Sequence, residues 1–228
     1  LKLQPQWHSA LGREVQRTPR LARIAHGDPR QQIINHGYLA VDFFFILSGF
    51  VLAHAYGRQV QDGSYSHRRF LIARLARIYP AHLAMLGLMV VIVLAALALG
   101  QPFDGESYDL EGFLSALLLV HAWTPSVAPN EWNGPSWSLS AEWAAYLAFP
   151  VFARVGLRSG RNPWIVVAVA AALFLGLDAV YRRTFGDLLT HAELNFGVLR
   201  IVPEFLLGIG LIASERCLAA ACSCLTSR

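Results

Sequence analysis

The sequence predicts an all-α protein, a polytopic transmembrane bundle of about five or six spans, and three observations point there. Of its 228 residues, 55% are hydrophobic and only 15% are charged, whereas soluble domains carry about 25% charged residues. The apolar residues gather into long blocks with arginines collected between them, and mean hydropathy is +0.42. No run alternates as a barrel strand would, and lipid leaves backbone groups without partners outside helices and closed barrels.

Residues 1–35 form a polar, non-membrane segment with Lys2, Arg13, Arg17, Arg20, Arg23 and Arg30, punctuated by Pro5, Pro19 and Pro29. A membrane domain over 36–214 follows, then a tail over 215–228. Gly37 to Tyr56 is just long enough to cross a bilayer. The loop Gly57 to Tyr79 carries Arg58, Arg68, Arg69, Arg74 and Arg77 against a single acid, Asp62, which marks a cytoplasmic loop. His82 to Leu99 is the cleanest apolar run, and an acidic connection with Asp104, Glu106, Asp109 and Glu111 follows it. Phe113 to Trp123 is short, roughly 17–20 Å as a helix, and reads as tilted or re-entrant. Trp137 to Val155, Pro163 to Tyr181 and Phe196 to Ala213 complete the set. If Phe113–Trp123 crosses, strict alternation puts Arg154 outside. If it does not, Arg154 falls inside and Arg182 and Arg183 fall outside.

The balance is basic, with net charge +4 and pI ≈ 9.2. A nucleic-acid binder would place such arginines on soluble helices, but these flank apolar segments, so no nucleic-acid partner is expected. Cys217, Cys222 and Cys224 are odd in number and clustered in the tail, which describes neither a disulfide framework nor a zinc site. The histidines show no metal spacing. Phosphate-binding, dinucleotide, zinc-protease and nucleophile-elbow motifs do not occur in the sequence.

Ionisable residues inside apolar helices cost several kcal/mol unless paired or hydrated, which makes each a candidate for function. Asp42 sits near the start of its span, with Ser48 and Gly49 beyond it. It can orient a catalytic base or line a water-filled cavity; otherwise it caps the helix or pairs with an arginine. Ser138, Glu142 and Tyr146, at i, i+4 and i+8, form a polar stripe on an apolar helix. Trp137 and Trp143 fit near a cavity mouth. Glu142 suits acid/base work or binding of a sugar hydroxyl; the plainer role is a hydrogen bond between helices. Arg74 and Arg77 share a helix face and can grip phosphates, or simply anchor the loop. Arg200 and Glu204 are expected to neutralise one another. A transporter-like bundle without catalytic activity is the rival class, and it predicts paired, interrupted helices that the sequence does not show.

Three stretches together carry a resemblance. Gly37 to Phe50 reads G-Y-L-A-V-D-F-F-F-I-L-S-G-F, Phe70 to Pro80 reads F-L-I-A-R-L-A-R-I-Y-P, and Trp137 to Trp143 reads W-S-L-S-A-E-W. In this order they resemble the integral-membrane acyltransferase 3 family of bacterial O-acetylases. The resemblance implies an acyl-CoA donor, usually acetyl-CoA, and no permanently bound cofactor. It implies transfer to a hydroxyl of a cell-surface carbohydrate or glycolipid, in the bacterial inner membrane. Arg74 and Arg77 become the donor-side pair, and Glu142 the essential carboxylate. The polar stripe and its aromatic neighbour make Ser138, Tyr146 and Trp137 the expected substrate contacts. The family's first helix places an arginine eleven residues before a catalytic histidine, and neither His26 nor His36 fits that spacing. Relative to the family's roughly ten spans, the bundle is therefore expected to be incomplete, truncated or frame-shifted upstream of about residue 35 and inactive through loss of that helix. If the chain itself acts, His36 is the candidate base.

Overall fold

The computed structural model describes residues 37–101, 108–125, 132–158 and 164–226. His36 and residues 1–35 lie outside the described residues. Two units divide between Ala40 and Val41. The described part of the first, Gly37–Ala40, is one helical turn; the second, Val41–Arg228, holds the remaining helical structure.

Among the described residues the protein is all helical, with no strand. The helices are α1 (Gly37–Gln61), α2 (His67–Ala98), α3 (Leu110–Leu117), α4 (Trp137–Arg158), α5 (Trp164–Phe185) and α6 (Val198–Thr226). Short 3-10 turns at Gly134–Ser136 and Leu189–His191 precede α4 and α6. Three helices, α1, α2 and α5, are long and apolar enough to cross a membrane. Helices α4 and α6, with 22 and 29 residues, have the length, but Ser, Trp, Tyr, Pro and charged residues dilute their hydropathy. The architecture is a helical membrane bundle whose outer faces stay apolar, with Leu88, Val91, Leu94, Ile165 and Leu175 all exposed.

One boundary differs from the sequence reading, and one alternative left open there is decided. Helix α2 begins at His67 and runs through Pro80, so most of the stretch read as the loop Gly57 to Tyr79 is the first part of a long helix. Proline removes a backbone donor, and here both Pro80 and Ala76, whose carbonyl loses that donor, lie on the exposed side. The segment Phe113–Trp123 does not cross. Helix α3 has eight residues, about 12 Å of rise, and Leu119 follows in the left-handed region at φ 56. The returning backbone is satisfied from α4: Ser140 Oγ donates to the Leu119 carbonyl at 2.8 Å and accepts from Ala122 N–H at 3.2 Å. Trp123 Nε1 donates to the Ser140 carbonyl at 3.0 Å. Irregular backbone is tolerated at membrane depth when protein supplies such partners.

Helix α6 is the centre of the bundle. It runs parallel to α4, with Phe152 and Phe149 on Phe205 at ring separations of 5.4 and 6.4 Å, and antiparallel to α5, where Gly210 meets Val166 and Val167. Its contact with α1 is closest. A Cβ on Gly49 would strike the Phe205 carbonyl, and one on Gly208 would strike the Ile46 carbonyl and come within 2.7 Å of Phe50 N. Small residues permit this backbone approach, which is how helices gain packing where lipid offers no hydrophobic drive.

Helices α1 and α4 are parallel, with Phe45 on Trp137 and Tyr56 near Phe149, and α2 returns antiparallel, with Arg74 on Tyr56. One end of the bundle therefore gathers Arg58, Arg68, Arg69 and Arg154, the last sharing a groove with Gln61 and Leu157. The other end holds Asp109, Glu111 and Asp187. This is the alternative in which Arg154 joins the arginine loop while Arg182 and Arg183 fall at the opposite end.

Replacing Gly208 by Val should cost about 3 kcal/mol or more through overpacking and lower the detergent melting midpoint by many degrees. Gly176→Ala, with open space around it, should be neutral or stabilising by up to about 1 kcal/mol.

Candidate active site

Three helices converge on one cavity of about 360 Å³. From α1 come Phe44, Ser48 and Val51; from α2, Arg74, Arg77 and Ala81; from α4, Leu139, Glu142 and Tyr146. On α4 the wall positions are Leu139, Glu142 and Tyr146, so the polar stripe of the sequence reading is turned by one residue. Ser138 does not line the cavity, and its hydroxyl reaches back to the Pro135 carbonyl at 3.5 Å.

Glu142 is the chemical centre, and it is only 3% exposed. An unpaired carboxylate at that depth would be expensive, so it needs donors. Ser48 Oγ donates to Glu142 Oε1 at 2.8 Å, across 94 residues of sequence. The Tyr146 hydroxyl, one turn along α4, also hydrogen-bonds the carboxylate, and the charges of Arg74 and Arg77 act on it. Tyr146 is buried, whereas Ser48 is half-buried and opens to the cavity.

The two arginines differ. Arg74 donates to the Tyr56 hydroxyl at 3.2 Å and lies 5.6 and 5.7 Å from the Tyr56 and Phe70 ring centres. Aromatic stacking of this kind fixes a guanidinium, and the buried Arg74 Nε has no hydrogen-bond partner. Arg77 is exposed on the cavity wall. One cation is held rigidly and the other is free to meet an anion.

Asp42 and Trp137 belong to a second cluster. Arg200, fully buried, bonds Asp42 Oδ1 through Nε at 2.7 Å and through a terminal nitrogen at 2.6 Å. Its guanidinium stands 5.3 Å from the Trp137 ring centre. Glu204 stands 3.8 Å from Arg200 Nε, so the expected Arg200–Glu204 pair is present as a longer contact beside the shorter bonds to Asp42. Asp42 and Glu204 line a separate, nearly apolar groove of about 390 Å³ between α1, α5 and α6.

A third polar group was missed in the sequence because its members lie far apart. His82 Nε2 donates to the Ala116 carbonyl at 2.9 Å, and His82 Nδ1 accepts from Asn133 Nδ2 at 3.2 Å. Ser136 Oγ donates to the Asn133 carbonyl at 2.7 Å and accepts from His121 Nε2 at 3.2 Å. This network ties the α3 loop to α2 and the start of α4. Among the described residues no group of three or more potential metal ligands occurs.

The three motif segments around the cavity lie within a region matched by a family model, the Acyltransferase domain, over residues 14–215. The chain belongs to that family. Relatives of this acyltransferase chain include protein 2 in the picA locus of Rhizobium radiobacter, 36% identical over 149 residues, covering 62% of the chain and 78% of the relative. Acyltransferase MdmB of Streptomyces mycarofaciens is 37% identical over 140 residues, 60% of the chain and 34% of MdmB. The putative peptidoglycan O-acetyltransferase YrhL of Bacillus subtilis (strain 168) is 28% identical over 160 residues, 62% of the chain and 23% of YrhL. The chain thus spans about a third or less of the two relatives named for acyl transfer. No solved structure matches it.

Burial holds the His121 imidazole down at about 4, aided by neighbouring His82 and opposed by the Ser115 carbonyl. The unfolded ring titrates near 6.5, so between those values the unfolded chain binds more protons, and stability rises with pH and is lost as pH falls. The detergent melting midpoint should drop as pH is lowered from about 6.5 towards 4, and His121→Gln should flatten that slope relative to wild type.

Proposed function

We propose that the chain carries the donor site of a bacterial inner-membrane O-acyltransferase, which takes an acyl group, in the first instance acetyl, from acyl-CoA to a hydroxyl of a cell-surface carbohydrate. The observation that supports this reading is the convergence of Arg74, Arg77 and Glu142, from two distant motifs, on one cavity. The cavity lies within the usual range for small-molecule sites, roughly 300–1,000 Å³. It suits the acyl and thioester end of a CoA donor, with the anionic nucleotide left towards the basic end near Arg68 and Arg69. By the positive-inside rule that basic end faces the cytoplasm, where acyl-CoA is found.

In this reading Arg77 meets donor anions and Arg74, braced by Tyr56 and Phe70, stays in place between donor and carboxylate. Glu142 accepts the proton released when a hydroxyl attacks the thioester carbon. A carboxylate in acceptor-only form is suited to that task, because both of its hydroxyl neighbours can donate to it. The relatives named acyltransferase and peptidoglycan O-acetyltransferase support the reaction class, and the second supports a glycan acceptor. Domain boundaries follow the same reading: the acyltransferase region covers 36–214, although α6 continues as helix to Thr226.

The test is transfer of label from radiolabelled acetyl-CoA into alkali-labile esters on envelope carbohydrate, in bacterial membranes carrying the chain. Glu142→Gln should lower kcat by about 10²–10⁴. Arg77→Ala should raise KM for acetyl-CoA roughly tenfold, as loss of a charge-assisted contact does, with a smaller effect on kcat. Unchanged transfer by Glu142→Gln would refute the assignment.

A further inference from the structure

We infer that Ser48 is the nucleophile of the reaction and carries the acyl group as an ester between donor and acceptor. This rests on the acyl-CoA reading above. No motif assigns the role, because a serine in an apolar helix reads as packing until its partner, 94 residues away, is placed beside it. The geometry supplies the parts that covalent catalysis requires: a hydroxyl within hydrogen-bond reach of a base, and a third group that orients the base. Ser48 Oγ donates to Glu142 Oε1 at 2.8 Å, and Tyr146 bonds the same carboxylate.

Accessibility separates the two hydroxyls. Tyr146 is 4% exposed and serves to hold Glu142. Ser48 is half-buried on the cavity wall, facing the space shared with Arg74 and Arg77. Arg74, braced by Tyr56 and Phe70, lines the same space, so a fixed cation stands where negative charge develops.

Ser48 Oγ attacks the thioester carbonyl carbon and its proton passes to Glu142. The carbon–sulfur bond breaks, and the departing CoA thiolate recovers that proton, leaving acyl-Ser48 and free CoA. An acceptor hydroxyl then attacks the ester carbon and gives its proton to Glu142. Ser48 Oγ leaves and takes the proton back. No oxidant or further reactant is required.

A covalent intermediate predicts exchange without acceptor. Membranes carrying the chain, given acetyl-CoA and radiolabelled CoA but no acceptor, should form labelled acetyl-CoA. Ser48→Ala should lower that exchange at least a hundredfold. Ser48→Cys should retain it, and the trapped acetyl group should become labile to neutral hydroxylamine, as a thioester is and a serine ester is not. The inference is overturned if the wild-type chain transfers acetyl to carbohydrate yet shows no exchange. It is also overturned if Ser48→Ala exchanges within threefold of wild type, or if label on the Cys variant keeps ester chemistry. In those cases Glu142 still acts as the base and the acyltransferase reading stands. Absence of both transfer and exchange in the wild-type chain would remove that reading and this inference together.

Discussion

A carboxylate inside a membrane helix has to find hydrogen-bond donors, and the site depends on how Glu142 finds them. Water is scarce at that depth, and an unsatisfied charge there would cost more than one helix contact returns. Ser48 on α1 supplies one donor and Tyr146 on α4 itself supplies another. The first of these bonds ties two helices together and fixes which face of α4 meets α1. Once that face is fixed, Arg74 and Arg77 on the returning helix α2 line the same cavity. The polar contacts needed for burial are thus also the contacts that assemble the chemistry.

The packing below the cavity serves that arrangement. Gly49 follows Ser48 directly, and its missing side chain lets α1 lie against the α6 backbone at Phe205. Gly208 does the same from the opposite side. A bulkier residue at either position would push α1 outward and lengthen the Ser48–Glu142 bond. Asp42 and Arg200 add a buried ion pair between the same two helices, and such pairs fix register more than they add stability. A glycine contact and an ion pair, less than two turns apart on α1, therefore hold Ser48 at its depth.

Much of this was legible in the sequence, and the part that was not has a physical reason. The apolar blocks gave the helical bundle, and Arg74, Arg77 and Glu142 stood out because charge in an apolar helix is costly. Spacing along one helix put Ser138 in the stripe, but the cavity lies a fraction of a turn away, where α1 packs, and selects Leu139 instead. Ser48 was hidden because a hydroxyl carries no charge and its partner lies on another helix. Pairing was legible in part for the same reason: Glu204 does stand 3.8 Å from Arg200 one turn away, but the shorter bonds go to Asp42, whose arginine partner only the tertiary fold identifies. The run Phe113–Trp123 was too short to decide between crossing and turning back, and its left-handed Leu119 and the Ser140 hydrogen bonds belong to a loop supported from α4. Periodicity within a segment reports burial; it cannot report which neighbour does the burying.

The central claim is that one cavity, between α1, α2 and α4, receives the acyl end of the donor. It is tested most directly by photolabelling with an acyl-CoA whose acyl chain carries a diazirine, followed by mapping of the modified residues. Labels on Phe44, Leu47, Val51, Ile78 or Leu139, suppressed by excess CoA, are the predicted result. CoA-sensitive labelling confined to the groove of Ala170, Phe174 and Leu207 would contradict the account.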